Sequence, residues 1–143
     1  MAETVRVTVR ISRRFSASPE RVFDAWLDAE RMCHWLFATP TGEMVRAEAN
    51  ARIGGRFVLI ERRDGVDVEH LGEYLEIDRP RRLVFSFAVP QFSAEATRVS
   101  VDITPSGDGC ELVLTHLAVM EDYEARTQAG WTGILEGLAT SLG

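Results

Sequence analysis

Near the C-terminus, Trp131, Leu135, Leu138 and Leu142 fall at i, i+4, i+7 and i+11. That spacing places all four on one face of a helix. Gly130, Gly133 and Gly137 lie inside the same pattern, and each costs about 1 kcal/mol of helix stability relative to Ala. A helix this weak alone needs a surface to hold it. Nearly everything upstream has strand character, so that surface is a sheet. A sheet curled around one long helix can enclose a cavity, and the rest of the chain has to supply that sheet.

The sheet is legible strand by strand. Val5, Val7, Val9 and Ile11 alternate with Arg6, Thr8 and Arg10, the pattern of a half-buried strand running to about Phe15. Ser18-Pro19 starts a helix: Ser caps the free N–H groups and Pro suits the first helical position. Val22, Phe23, Trp26 and Leu27 form its apolar face. Asp28 caps a second short helix reaching about Trp35, with Glu30 favoured in its first turn by the helix dipole. Strands are expected at about 43–49, 57–60, 66–77, 83–87, 98–103 and 111–116. Turn signals separate them: Gly54-Gly55, Asp64-Gly65, Pro80-Arg81-Arg82 and Gly107-Asp108-Gly109, with a loop at 90–94. Asp-Gly is a strong two-residue hairpin signal. Hairpins between successive strands make the sheet antiparallel. With no repeat, linker or low-complexity tract, residues 1–143 are expected to form one domain.

Composition narrows the chemistry. The 143 residues suit one core, and 45% hydrophobic with 27% charged content is that of a globular protein. Net charge is −6, which gives no electrostatic reason to bind nucleic acid or anionic lipid. The pairs Arg13-Arg14, Arg62-Arg63 and Arg81-Arg82 read as solvated side chains at turns and strand edges. All sixteen basic residues are Arg, which excludes lysine Schiff-base chemistry. Cys33 and Cys110 lie far apart without a Cys-x-x-Cys or His cluster, so they read as free thiols rather than a zinc site or disulfide. No apolar run approaches the roughly 20 residues of a membrane span. The N-terminus lacks a signal peptide's apolar core, so a cytoplasmic location is expected.

Several motifs carry a resemblance. They run Phe15-x-Ala17-Ser18-Pro19-Glu20-x-Val22-Phe23-x-Ala25-Trp26, then Trp35, then Gly54-Gly55-x-Phe57. Gly72-x-Tyr74-x-x-Ile77, Pro80-x-x-Leu83-Val84-Phe85, Leu112-x-Leu114-Thr115-His116 and Gly130-Trp131 with Leu135 and Leu138 complete the set. In this order they resemble the START-like, or SRPBCC, helix-grip superfamily, in the branch related to the C-terminal domain of the activator of Hsp90 ATPase. The resemblance implies an α+β fold like that of the pathogenesis-related allergens. Its curved antiparallel sheet wraps a long C-terminal helix, two short helices follow the first strand, and an apolar cavity lies between sheet and helix. The first strand starts at once, so no counterpart of the eukaryotic activator's separate N-terminal domain is expected.

Strand parity selects the candidate cavity face. Glu69 and Glu73 are taken as solvated, so His70, Gly72 and Tyr74 face inward. By the same reasoning Phe57, Leu59, Phe85, Phe87, Val99, Val101, Leu112, Leu114 and His116 face inward, beneath Trp131, Ile134, Leu135 and Leu138. Trp35 and Phe37 flank a Thr-Pro-Thr-Gly loop and belong either to the core or to the lip of the cavity. Gly72 on the strand and Gly130 and Gly133 on the helix are expected to leave facing vacancies. The ligand-binding set is therefore Trp35, Phe37, Phe57, Leu59, His70, Tyr74, Phe85, Phe87, Val99, Val101, His116, Trp131 and Leu135. Its bland counterpart is a closed core in which each buried His or Tyr satisfies its own hydrogen bond.

Catalysis finds less support in the sequence. His70 and Tyr74 share a strand face but sit roughly 13 Å apart along it. The acidic residues cluster at turns and on outward strand positions, leaving no evident inward carboxylate. No Ser-His-Asp set, P-loop, nucleotide fingerprint or metal motif is present. No catalytic residue, metal or cofactor is expected. The leading expectation is non-catalytic binding of a small hydrophobic or aromatic molecule, a lipid among the candidates. A chaperone-associated interaction domain and a polyketide cyclase/dehydratase-like enzyme are the alternatives. Neither nucleic acid nor a membrane is an expected partner, and a homodimer through an exposed edge strand stays open.

Overall fold

A computed structural model of the protein describes residues 5–36, 42–90 and 96–142. The elements follow the expected order. They are β1 (Arg6–Phe15), α1 (Pro19–Asp24), α2 (Ala29–Met32), β2 (Glu43–Ala49), β3 (Arg56–Arg63) and β4 (Val66–Asp78). Then come β5 (Arg82–Phe87), β6 (Thr97–Ser106), β7 (Gly109–Met120), a single 3-10 turn (Glu121–Tyr123) and α3 (Glu124–Leu142). The expectations for Phe37 and for residues 91–94 lie outside the described residues.

All seven strands join one antiparallel sheet in the order β1-β7-β6-β5-β4-β3-β2. Consecutive strands β2 to β7 are neighbours because short turns connect most of them. At Asp64-Gly65 both φ angles are positive, 50° and 78°, the two-residue hairpin geometry that matches strand twist. β1 closes the far edge by pairing with β7, with Arg6 opposite Met120 and Phe15 opposite Cys110.

The short helices start where the caps put them. The Ser18 hydroxyl accepts from the Arg21 backbone N–H at 3.3 Å, and the Asp28 carboxylate accepts from that of Glu30 at 3.0 Å. α1 ends at Asp24, and Val22, Phe23, Ala25 and Trp26 are all buried. α3 lays Trp131, Leu135 and Leu138 onto the inner face of the sheet, as the helical spacing requires. Ion pairs fasten the layers at their rims. Arg13 of β1 grips Glu136 of α3 through two hydrogen bonds of 3.0 and 2.9 Å. Arg79 holds Asp24 of α1 at 2.8 and 3.0 Å, and the Arg21 guanidinium donates to the Leu142 carbonyl at 2.7 Å.

Arg62, Arg81 and Arg82, from the paired arginines, keep solvated side chains, as expected, and also form ion pairs at the surface. Arg62 pairs with Asp67, Arg81 with Asp78, and Arg82 with both Glu76 and Asp102. Both cysteines are free thiols, with Cys110 buried and Cys33 half-buried.

Candidate functional site

Nine of the thirteen candidate residues sit in one packed cluster. Trp35, Phe57, Leu59, Tyr74, Phe85, Val99, Val101, Trp131 and Leu135 are each at most 3% exposed. Their rings interlock: Trp26 meets Trp35 edge to face at 4.7 Å, and Phe57 meets Phe85 edge to face at 5.4 Å. The Tyr74 hydroxyl donates to the Trp26 carbonyl at 3.2 Å, and burial pushes its pKa up, so it stays a neutral donor.

The facing vacancies expected at the glycines are not found. A Cβ on Gly72 would lie 2.1 Å from the Phe57 ring and 2.3 Å from the Ser86 carbonyl oxygen. That space belongs to the neighbouring strands, because the Phe57 ring lies across the bare backbone. Gly130 and Gly133 are exposed and face solvent, with nothing within 4 Å of a Cβ at either. Gly133 lies just over half a helical turn from Trp131, which turns it away from the sheet.

Polar chemistry collects around Phe87, at the end of the sheet where α3 begins. The Trp131 indole N–H donates to His116 Nδ1 at 3.0 Å. An indole nitrogen can only donate, so Nδ1 is an acceptor and the imidazole proton sits on Nε2. That Nε2–H points at Thr97 Oγ1, 2.6 Å away, and the Thr97 hydroxyl passes its own hydrogen to the Phe87 carbonyl at 3.2 Å. The result is a one-directional chain from α3 through β7 and β6 to β5. Burial lowers the His116 pKa to about 4 and keeps the imidazole neutral. His70 stacks on the Phe87 ring with an interplanar angle of 2°. Its Nδ1–H donates to the Leu59 carbonyl at 3.2 Å, and burial outweighs that bond in lowering its pKa to about 4.

Beside this cluster opens a cleft of about 490 Å³. Its apolar lining comes from Phe87 at the end of β5, Ala88 and Val89 just after it, and Val119 and Met120 at the end of β7. His116 and Thr97 contribute from within, and Tyr123, Arg126 and Thr127 from the start of α3. Arg6 and Arg63 reach it from the ends of β1 and β3. Among the described lining residues there are three arginines and no acid, in a chain of net charge −6. Of the thirteen candidate residues, Phe87 and His116 line this cleft, and Trp131 and His70 brace those two.

Two features here escaped the sequence reading. Glu61 is 1% exposed and pairs with Arg63, so an inward carboxylate does exist. It shares a strand face with Phe57 and Leu59, so parity was the available signal. The second is Ala118, a non-glycine residue at φ 61°. It sits where two β7 residues, Leu117 and Ala118, lie opposite one in β1 between the Val9–His116 and Val7–Val119 pairs. This bulge turns the Ala118 carbonyl to accept from Arg6 Nη1 at 3.2 Å. Its left-handed backbone is a strained state for a residue with a Cβ, and no sequence pattern announces it.

A second concavity, about 540 Å³, lies between α1, α2 and the C-terminal end of α3. Arg21, Asp28, Glu30, Arg31 and His34 rim it with mixed charge. Among the described residues, no group of three or more His, Cys, Asp or Glu side chains is placed to hold a metal ion. No helix there is long and apolar enough to cross a membrane.

A seven-stranded antiparallel sheet closed by a long C-terminal helix, with two short helices after the first strand, defines the START-like helix-grip class. Solved structures agree. Protein CV1439 from Chromobacterium violaceum superposes with a TM-score of 0.85 at 24% identity, over 93% of this chain and 94% of that one. The Mll3558 protein from Rhizobium loti gives 0.80 at 27%, over 98% and 99%. An AHSA1-like protein from Aeromonas hydrophila gives 0.80 at 22%, over 95% and 92%. Residues 16–143 match the family described as Activator of Hsp90 ATPase homolog 1-like protein, and the chain belongs to that family. Among curated proteins, none matches.

Proposed function

We propose that the protein binds a small hydrophobic or aromatic molecule without transforming it. The ligand's place is the cleft at the start of α3 rather than the layer beneath it. The observation that carries this reading is the cleft itself. Its volume of about 490 Å³ falls within the roughly 300–1,000 Å³ of small-molecule sites. It has an apolar wall around Phe87 and a few fixed polar groups, the composition such sites share. The hydrogen-bond chain supports binding over proton transfer. Both ring nitrogens of His116 are engaged, so the imidazole orders Phe87, Thr97 and Trp131 rather than serving as a general base.

A thermal-shift screen of aromatic and aliphatic molecules tests the reading, alongside the Thr127→Trp variant, which plugs the cleft from α3 without touching the core. Ligands should raise the melting temperature of the parent and leave the variant unmoved. A screen without a single hit, or equal shifts in the plugged variant, would refute it. The chaperone-associated alternative would place function on the outer surface, and Thr127→Trp would leave such an interaction intact.

A further inference from the structure

We infer that the cleft selects an amphipathic carboxylate, with the anionic head on Arg126 and the apolar body against Phe87. This rests on the binding reading above and adds the chemistry of the ligand.

The argument begins with charge. The chain has 22 acidic and 16 basic residues, yet the described lining of the cleft holds three arginines and no carboxylate. The three come from separate elements, the start of β1, the end of β3 and the first turn of α3. Only the fold brings them together. Two have their positions fixed by protein groups. Arg63 pairs with the buried Glu61 carboxylate on its own strand face, and Arg6 donates to the Ala118 carbonyl presented by the β7 bulge. Arg126 is different. Its guanidinium lies over the Tyr123 ring, 5.6 Å from the centroid, and it makes no ion pair among the described residues. The ring orients the guanidinium while leaving its planar N–H fork available.

That fork matches a carboxylate, which it can bind through two parallel hydrogen bonds. Arg6 and Arg63 add positive potential around it, part of it offset by Glu61. The apolar lining at Phe87 and Met120 is half-buried, whereas Arg126 is exposed. A ligand with one flat anionic end and one apolar end satisfies both regions, whereas a purely apolar ligand would desolvate the guanidinium without replacing its water. Arg126 is the residue to change. Arg63→Gln would remove an ion-pair partner of the buried Glu61 carboxylate and confound binding with stability.

Matched pairs give the test: 4-phenylbutyric acid against 4-phenylbutanol, and octanoic acid against octanol, titrated calorimetrically into the intact protein at pH 7 and low salt. Each acid should bind at least tenfold tighter than its alcohol. Arg126→Gln should bring the acid down to the affinity of the alcohol and leave the alcohol unchanged. Sodium chloride at 0.5 M should narrow the gap by screening. Equal binding of acid and alcohol would overturn the carboxylate inference and leave the binding reading standing. So would acid affinity untouched by Arg126→Gln, or tighter binding of 4-phenylbutyl phosphate than of the acid. If neither member of either pair binds, the binding reading fails and the inference falls with it.

Discussion

At the scale of single residues, three buried tryptophans show how burial and partnership separate. Trp26, Trp35 and Trp131 are each at most 3% exposed. Trp131 has an acceptor for its indole N–H in His116 Nδ1. Among the described residues the N–H groups of Trp26 and Trp35 find no hydrogen-bond partner, and the two rings meet edge to face instead. Identical substitutions therefore have different costs. Trp35→Phe removes volume and an N–H with nothing to lose. Trp131→Phe removes volume and strands the buried lone pair of His116, an added cost of about 1–3 kcal/mol. Urea unfolding of both variants should show Trp131→Phe as the more damaging by that margin; equal losses would mean that the chain through His116 contributes nothing. The spacing of the sequence placed Trp26 and Trp131 on core-facing positions and left Trp35 between core and lip; the structure buries it. The spacing could not tell which indole meets an acceptor, because that partner comes from a strand 15 residues away in sequence.

At the scale of elements, the glycines divide into those the fold requires and those it merely tolerates. Gly72 is required: the Phe57 ring and the Ser86 carbonyl oxygen of β5 occupy the volume a Cβ would need. The carbonyl is backbone of a paired strand and cannot swing aside. Gly72→Ala should cost at least the roughly 1–3 kcal/mol typical of overpacking, or leave the chain insoluble on expression. Gly130 and Gly133 are tolerated, since they face solvent and nothing lies within 4 Å of an added Cβ. Each change to Ala there should stabilise α3 by about 1 kcal/mol, seen as a rise of a few degrees in melting temperature. A fall in melting temperature at either position would show that the helix needs its glycines after all. The contrast was partly legible. The 3.6-residue period that picks out Trp131 and Leu135 also sends Gly133 to the far side of α3. The filling of the space at Gly72 was not legible, because the side chain that fills it belongs to the adjoining strand.

At the scale of the molecule, the two buried imidazoles link stability to pH. His70 and His116 have folded pKa values of about 4, against roughly 6.5 in an unfolded chain. Between those values the unfolded state binds more protons than the folded state, so stability increases with pH. The contribution is present in full above pH 6.5 and is lost as pH falls toward 4, at up to about 1.4 kcal/mol per pH unit for each histidine. Asp24 and Glu136, held below the usual carboxylate range by Arg79 and Arg13, add to the loss only as pH falls through that range. Urea unfolding at pH 7.0 and 5.5 should show the decline, and His116→Asn should reduce its slope. A slope unchanged in that variant would mean that His116 is protonated freely in the folded protein.

By itself the sequence determined the order of elements, the hairpin turns, the face of α3 that packs and the inward side of each strand. These are local matters, governed by the 3.6- and 2-residue periods and by the φ and capping demands of a few Gly, Pro, Ser and Asp residues. Even Glu61 and Gly133 follow those periods once they are applied to every residue. Only the tertiary structure decided where the inward faces close and where they part. The aromatic side chains of β3, β4 and β5 join Leu135 and Leu138 in one filled core. The start of α3 and the ends of β1, β3, β5 and β7 leave a cleft and bring three arginines to its edge. Filling is a sum of volumes from chain segments distant in sequence, and a periodicity fixes only the direction in which each side chain points.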